Sequence, residues 1–559
     1  MASLMELVER VNKGELVNSD QLEVYQDSSN SAEKFLAHHA NALLDLRRAH
    51  QHMIQSLEAI EFGDQKVLSQ YVSVSGFLGI TEGRAQAVVK FGSSAINRRD
   101  YSLGIEAIAS AVAYDLQHGG SYSIDRENCQ VVAGQYDRVS QAIGFNPSVA
   151  EWQNKQTKIA WVVSGLADDD AATRSMVSLA RQIDSKRFSI FTYSTEALVR
   201  REKQQYAQST YVASSSKRGR ESIEGLARVR SQSWLAPCDG DYLTAAKQLA
   251  EQMVKDRIDV AIFDVTQADA IAAIVAGWDV ARVKVNLCRR TPLYSPGISN
   301  VVYFDPARFE ADKDFWTRKG VQSQSVLEGV DLDESMGTVP LRSAYGIPDQ
   351  AVILATAGNE LDRTLSEPFV ETVINTLRAH PHAVYLLIGD GELGWQKRKF
   401  ESAGVAKRVG FAGKRKDLTS FLRMVDIYLC EFPASSASGM TGGAGVLQAM
   451  AAEKPIVAAC WGEEPEQCQA ALFVGSEGTI AGRDTTAYSD RVSKLIREGN
   501  YRTKLGKVMR QRVEQHFALN QTARQIEQFC DQLIQARSAA TTSLSIADKV
   551  RPVPLAAVA

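Results

Sequence analysis

Apolar positions change their period twice along this chain. Up to about residue 150 they recur three and four apart, as Phe35, Leu36, Leu43, Leu44, Leu46, Ile54, Leu57 and Ile60 do within Ser31–Phe62. That is the spacing of helices with one buried face. The stretch Arg99–Asp115 is rich in Gly, Ala and Ser among Leu, Ile and Val, the small-residue seam of a packed helical hairpin. After Trp152 the pattern becomes short apolar runs alternating with amphipathic segments. Strands are predicted at Lys158–Gly165, Phe188–Ser194, Asp259–Asp264 and Val283–Leu287, with helices at Ala171–Ile183 and Leu243–Lys255. Strand alternating with helix implies a parallel sheet covered on both faces.

The alternation starts afresh near Leu341. Strands are predicted at Ala351–Thr356, Val384–Ile388, Arg408–Ala412, Ile427–Cys430 and Pro455–Ala459. Helices are predicted at Glu367–Ala379, at Asp417–Met424, from Gly443, and over a long stretch Thr486–Arg537. The organisation is therefore an all-α domain (1–152), two Rossmann-like lobes (153–340 and 341–537) and an Ala/Ser/Thr/Pro-rich tail (538–559) expected to be disordered. No clean 34-residue period supports a helical repeat array in the first part. A helical cap and a protein-binding module both remain open for it.

Charge alters the picture little: 63 Lys plus Arg against 66 Asp plus Glu leave −3. So near-neutral a balance does not advertise a nucleic-acid groove. No run approaches the roughly 20 apolar residues that span a bilayer, and Met1–Leu16 carries acids where a secretion signal would be basic and then apolar. Seven scattered cysteines without a C-x-x-C pair predict reduced thiols and a cytoplasmic location rather than a disulfide framework or a zinc site.

Several chemistries are excluded by missing motifs. There is no G-x-G-x-x-G after the first strand, no G-x-x-x-x-G-K-[ST] and no H-E-x-x-H. The most informative segment is Ser435–Val457, a loop rich in Gly and hydroxyls that leads into a helix at Thr441-Gly-Gly443. Free N–H groups and the positive dipole end at such a helix start can cradle a diphosphate. A plain helix cap would use the same residues, and loop chemistry alone does not choose between them.

Val446-Leu-Gln-Ala-Met-Ala-Ala-Glu-Lys-Pro-Ile-Val457 resembles the Leu-Glu-Ala-Met-Ala…Pro segment of GT-B nucleotide-sugar glycosyltransferases. Gln448 stands where their ribose-binding acid does. The Glu-x₇-Glu pair of retaining families would begin at Met440, so the resemblance implies an inverting enzyme. The O-GlcNAc transferase-like family is similar over most of 157–530. Gly358-Asn-Glu-Leu-Asp-Arg363 resembles its Asn-Gln-Leu-x-Lys run, with Arg363 at the phosphate-neutralising Lys and Asn359 at the Asn. Ser295-Pro-Gly-Ile-Ser299 resembles its Pro-Gly-Thr-Ser loop. Met440-Thr-Gly-Gly443 keeps the Thr and loses the His of its His-Thr-Thr-Gly run, and its ribose-binding Asp falls on Gly445.

The resemblance implies a GT-B fold with two lobes facing across a cleft and a sugar moved from a UDP-linked donor to a protein side chain or glycan. It implies no bound metal or cofactor beyond that donor, while the charge balance and hydropathy above lead to the expectation of no nucleic-acid partner and no integral membrane segment. It places the donor against Asn359, Arg363, Phe411, Thr441, Gly442, Gly443 and Gln448. No His lies between His118 and His380, which removes the family's histidine from the first lobe and leaves Asp168, Asp169, Asp170 or Asp264 as candidate proton acceptors, or no base at all. Asp168–Asp170 could equally cap the following helix. Arg289-Arg290 and Glu463-Glu464 are weaker candidates, and His380 and His382 read as surface residues. A transferase for polysaccharide or lipid-linked glycan is the second reading. A scaffold that keeps the fold without catalysis is the third, and an epimerase lacks an acid–base set.

Overall fold

The computed structural model describes residues 4–549 apart from 13–16, 18–19, 29–30, 45–83, 119–124, 146, 148–153, 168–170, 198–219, 237–240, 290, 333–341, 359–360, 390, 392, 416–417, 433–442, 461–472, 476–477 and 482–483. It forms two compact units. One comprises Met1–Thr173, Ser185–Val301 and Gln532–Ala559, and the other Arg174–Asp184 and Val302–Asp531.

The chain begins with helices at Leu4–Asn12, Asp20–Gln26 and Ser31–Leu44, which bury Leu4, Leu7, Val8, Val17, Leu22, Ala37 and Ala40 against one another. Arg84–Asn97 and Tyr101–His118 form the predicted hairpin. The small-residue seam has a specific cause: a Cβ on Gly92 would lie 2.9 Å from Gly104 O, and one on Gly104 2.8 Å from Gly92 O. Arg126–Ile143 follows, capped by Asp125. Trp278 Nε1 donates to Ser140 O at 2.9 Å, which ties this helix to the α/β part of the same unit.

The first sheet has seven strands in the order β3-β2-β1-β4-β5-β6-β7. They are β1 (Thr157–Val163), β2 (Phe188–Ser194), β3 (Gln232–Leu235), β4 (Val260–Asp264), β5 (Val283–Cys288), β6 (Asn300–Tyr303) and β7 (Gln322–Ser325). The pairs β1–β2, β1–β4, β2–β3 and β4–β5 are parallel. β3 and β7, absent from the sequence prediction, are the two outer strands, four residues each, and β7 reads Gln-Ser-Gln-Ser. An outer strand can stay polar because one flank faces no neighbour.

The second sheet has the order β10-β9-β8-β11-β12-β13 and is parallel throughout. Its strands are β8 (Val352–Gly358), β9 (Ala383–Gly389), β10 (Val409–Gly413), β11 (Ile427–Phe432), β12 (Ile456–Cys460) and β13 (Thr479–Ala481). Hydroxyls inside this core are paired. Tyr385 Oη donates to Thr356 Oγ1 at 2.7 Å and Thr356 Oγ1 to Leu429 O at 2.8 Å, a relay across β9, β8 and β11 that avoids an orphaned buried group.

Three expectations need correction. The long C-terminal stretch is three helices, Thr485–Arg497, Gly499–His516 and Leu519–Lys549. The last continues past residue 537 into the expected disordered tail, since neither Gly nor Pro interrupts Leu519–Lys549. His380 is buried, not superficial, and its Nε2 meets Ser493 Oγ at 2.9 Å. Burial lowers its pKa, with the charges of Arg497 and His382 adding to the effect. Cys460 is disulfide-bonded, whereas Cys129, Cys288, Cys430 and Cys530 are free thiols; pairing follows distance in space, which sequence spacing does not reveal. No helix among the described residues is long and apolar enough to cross a membrane.

Candidate functional site

A parallel sheet collects ligands at the carboxyl ends of its strands, where the strand order reverses. In the second sheet the chain runs outward from β8 through β9 to β10, then returns to the other side of β8 as β11. The switch point therefore lies between the ends of β8 and β11. Arg363 sits there, in the one-turn helix Leu361–Thr364 that follows β8. Ser366 N donates to Glu431 Oε2 at 2.9 Å, tying the end of that turn to the end of β11.

The turn is held from the β9 side by glycines. Gly389 pairs with Gly358 in register, and its φ of +148° leaves Gly358 O only 1.7 Å from where a Cβ would stand. Gly391, at φ +128°, would place a Cβ 2.9 Å from Asp362 N. Only glycine allows the backbone to pass this close. The helix Gly394–Ser402 adds two donors: Trp395 Nε1 to Asp362 O at 3.3 Å and Gln396 Nε2 to Leu361 O at 3.4 Å.

From the β11 side comes the helix Gly443–Ala451. Gly443 is buried at its first position, and Gly445 presses on the sheet. A Cβ on Gly445 would lie 2.6 Å from Tyr428 Oη and 3.0 Å from Ala357 O. Tyr428 Oη donates to Ala357 O at 3.0 Å and accepts from Ala357 N at 3.3 Å. Burial pushes this phenol above its ordinary range and keeps it protonated. A side chain at position 445 has no room in this packing. The accessible face of the helix carries Ala444 and, one turn on, Gln448. The helix start and the Arg363 turn thus both adjoin Ala357–Gly358 at the end of β8.

Phe411 lies on β10, 38% exposed, with Lys397 Nζ 4.9 Å from its ring centroid. At about 4.8 Å per strand, β10 stands about 10 Å from β8. Asn359, Thr441, Gly442, Asp168, Arg290, Glu463 and Glu464 fall outside the described residues, as does the side chain of Arg363.

The first sheet has its own switch point between β1 and β4. Asp264 ends β4, and both its oxygens accept from Arg289 Nε at 3.0 Å. Nearby in the chain, fully buried Asp269 caps the helix Ala270–Ala276 through Ala272 N. Its other oxygen accepts from Ser164 Oγ at 2.8 Å and Thr195 Oγ1 at 2.6 Å. Gly297 of the Ser295–Ser299 loop would place a Cβ 2.0 Å from Ala276 O, so that glycine has a packing reason whatever else the loop does.

Residues 355–498, which hold the second switch point, match the family model described as glycosyl transferases group 1. That stretch is similar to a group 1 glycosyltransferase domain. The chain's fold is that of the GT-B enzymes. An O-GlcNAc transferase mutant from Thermobaculum terrenum superposes with a TM-score of 0.52 at 14% identity, covering 97% of this chain and 100% of that one. A glycosyltransferase from Rickettsia africae gives 0.50 at 12% identity, over 68% and 99%. HepE from Anabaena, solved with UDP and glucose, gives 0.49 at 13%, over 67% and 100%. No curated protein sequence matches the chain. The family match over 355–498, on this fold, supports an enzyme of glycosyl transfer.

Sequence reasoning missed Gly389, Gly391, Trp395, Gln396 and Glu431. The Gly-Asp-Gly run at 389–391, directly after a predicted strand, was the available signal for the first two.

Proposed function

We propose that this enzyme transfers a sugar from a UDP-linked donor to a protein side chain or glycan, with inversion and without a metal ion. The observation that carries the reading is the meeting of two elements at the end of β8: the Leu361–Thr364 turn bearing Arg363 and the start of the Gly443–Ala451 helix. Backbone N–H groups at Thr441–Gly443 and the helix dipole hold the diphosphate, and Arg363 neutralises the charge that grows on the leaving group. Asn359 is a further proposed donor contact. Gln448 bonds the ribose hydroxyls through its amide, and the backbone around Phe411 receives the base. Asp168 and Asp264 are the candidates for taking the acceptor's proton, the second held in place by Arg289. The cytoplasm, where nucleotide sugars are the working donors, is the proposed compartment.

The test is Arg363→Met, assayed by release of UDP from UDP-N-acetylglucosamine with and without EDTA. A planar guanidinium suits phosphate oxygens and stays charged. Its loss should lower kcat by about a hundredfold or more while KM changes less, Arg363→Lys should recover part, and EDTA should change nothing. Near-normal kcat in the folded variant removes Arg363 from the site.

A further inference from the structure

We propose that Gln396 and Trp395 are positioning residues that fix the turn that bears Arg363; the proposal rests on the reading of Arg363 given above. A helix of a single turn, Leu361–Thr364, has almost no stability of its own, because it closes too few internal hydrogen bonds to offset its nucleation. Its geometry must be imposed from outside. Leu361 is buried at 1% exposure and anchors one side. The carbonyls of the two residues preceding Arg363 are each taken by a side chain of the neighbouring helix, Leu361 O by Gln396 Nε2 at 3.4 Å and Asp362 O by Trp395 Nε1 at 3.3 Å. Gly391 closes the other side against Asp362 N and Leu361 N.

The state of Gln396 argues against a purely structural role. Its side chain is fully buried, and Oε1 has no hydrogen-bond partner among the described residues. A buried orphan acceptor is destabilising, so leucine, of similar size, would serve stability at least as well. What leucine cannot do is hold Leu361 O. Displacing a catalytic group by about 1 Å can cost on the order of a hundredfold in rate, so even a loosened turn is visible in kcat.

The experiment is a double-mutant cycle. Gln396→Leu and Trp395→Phe, each removing one donor, are made in the wild-type and Arg363→Met backgrounds. UDP release from UDP-N-acetylglucosamine and the thermal midpoint are measured for all. In the wild-type background each substitution should lower kcat about tenfold, with KM within about twofold. The thermal midpoint of Gln396→Leu should be unchanged or higher. In the Arg363→Met background both losses should disappear, because the group being positioned is gone. If Arg363→Met loses activity but Gln396→Leu and Trp395→Phe keep normal kcat, or lose as much in both backgrounds, the positioning role is overturned while the Arg363 reading stands. If Arg363→Met itself has normal kcat, both fall. Trp395→Phe keeps the test decisive should Gln396→Leu fail to fold.

Discussion

Replacing Gly445 with alanine adds one methyl group at a closely packed point beside the end of β8. The new carbon would stand 2.6 Å from Tyr428 Oη and 3.0 Å from Ala357 O. Both neighbours are fixed, since Tyr428 Oη is itself bonded to Ala357 N and O, so the helix must lift. Overpacking of this kind costs about 1–3 kcal/mol, and the better helix propensity of alanine returns about 1 kcal/mol. The net expectation is a loss of up to about 2 kcal/mol. Tyr428→Phe alone should lose about 1 kcal/mol with its hydrogen bonds. In the double variant the 2.6 Å clash is gone, so its loss should fall short of the sum by about 1 kcal/mol. Denaturant unfolding of the four proteins measures this. UDP release should fall further in Gly445→Ala than in Gly445→Ala with Tyr428→Phe, because the helix start returns towards its place. A Gly445→Ala protein as stable as wild type, with strictly additive losses in the double variant, would refute the close-packing argument.

Two further predictions concern the first unit. Burial pushes Lys284 down to about 8 from 10.5, against the attraction of Asp279, while Nζ donates to Ala276 O and Trp278 O at 2.9 Å each. Between about pH 8 and 10.5 the unfolded chain therefore binds more protons at this site than the folded one. The penalty, of the order of 3 kcal/mol, is fully present below pH 8 and fades as pH rises towards 10.5. The stability difference between wild type and Lys284→Met should shift in favour of wild type across that window, and a flat difference would contradict it. Asp264→Asn should lower kcat for transfer to acceptor more than it lowers UDP release without acceptor; equal losses in the two assays would mean that Asp264 only braces Arg289.

The hydrophobic pattern alone determined the class of fold, because buried parallel strands must be continuously apolar and covering helices amphipathic. Phe188–Ser194 and Glu367–Ala379 were legible to the residue, and the helix start near Gly443 approximately. The outer strands Gln232–Leu235 and Gln322–Ser325 were not, since a short strand with one open flank carries little apolar signal. Gly-rich loop chemistry marked Thr441–Gly443, and resemblance marked Arg363. Only the tertiary structure decided which glycine does what. Gly445 reads in sequence as part of a ligand loop, yet it lies against Tyr428 and Ala357, and Gly389 and Gly391 turn out to hold the Arg363 turn in place. The buried His380 and the paired Cys460 were equally invisible. Spacing along a chain reports which face a residue occupies, whereas close approach depends on which distant segment the fold brings against that face.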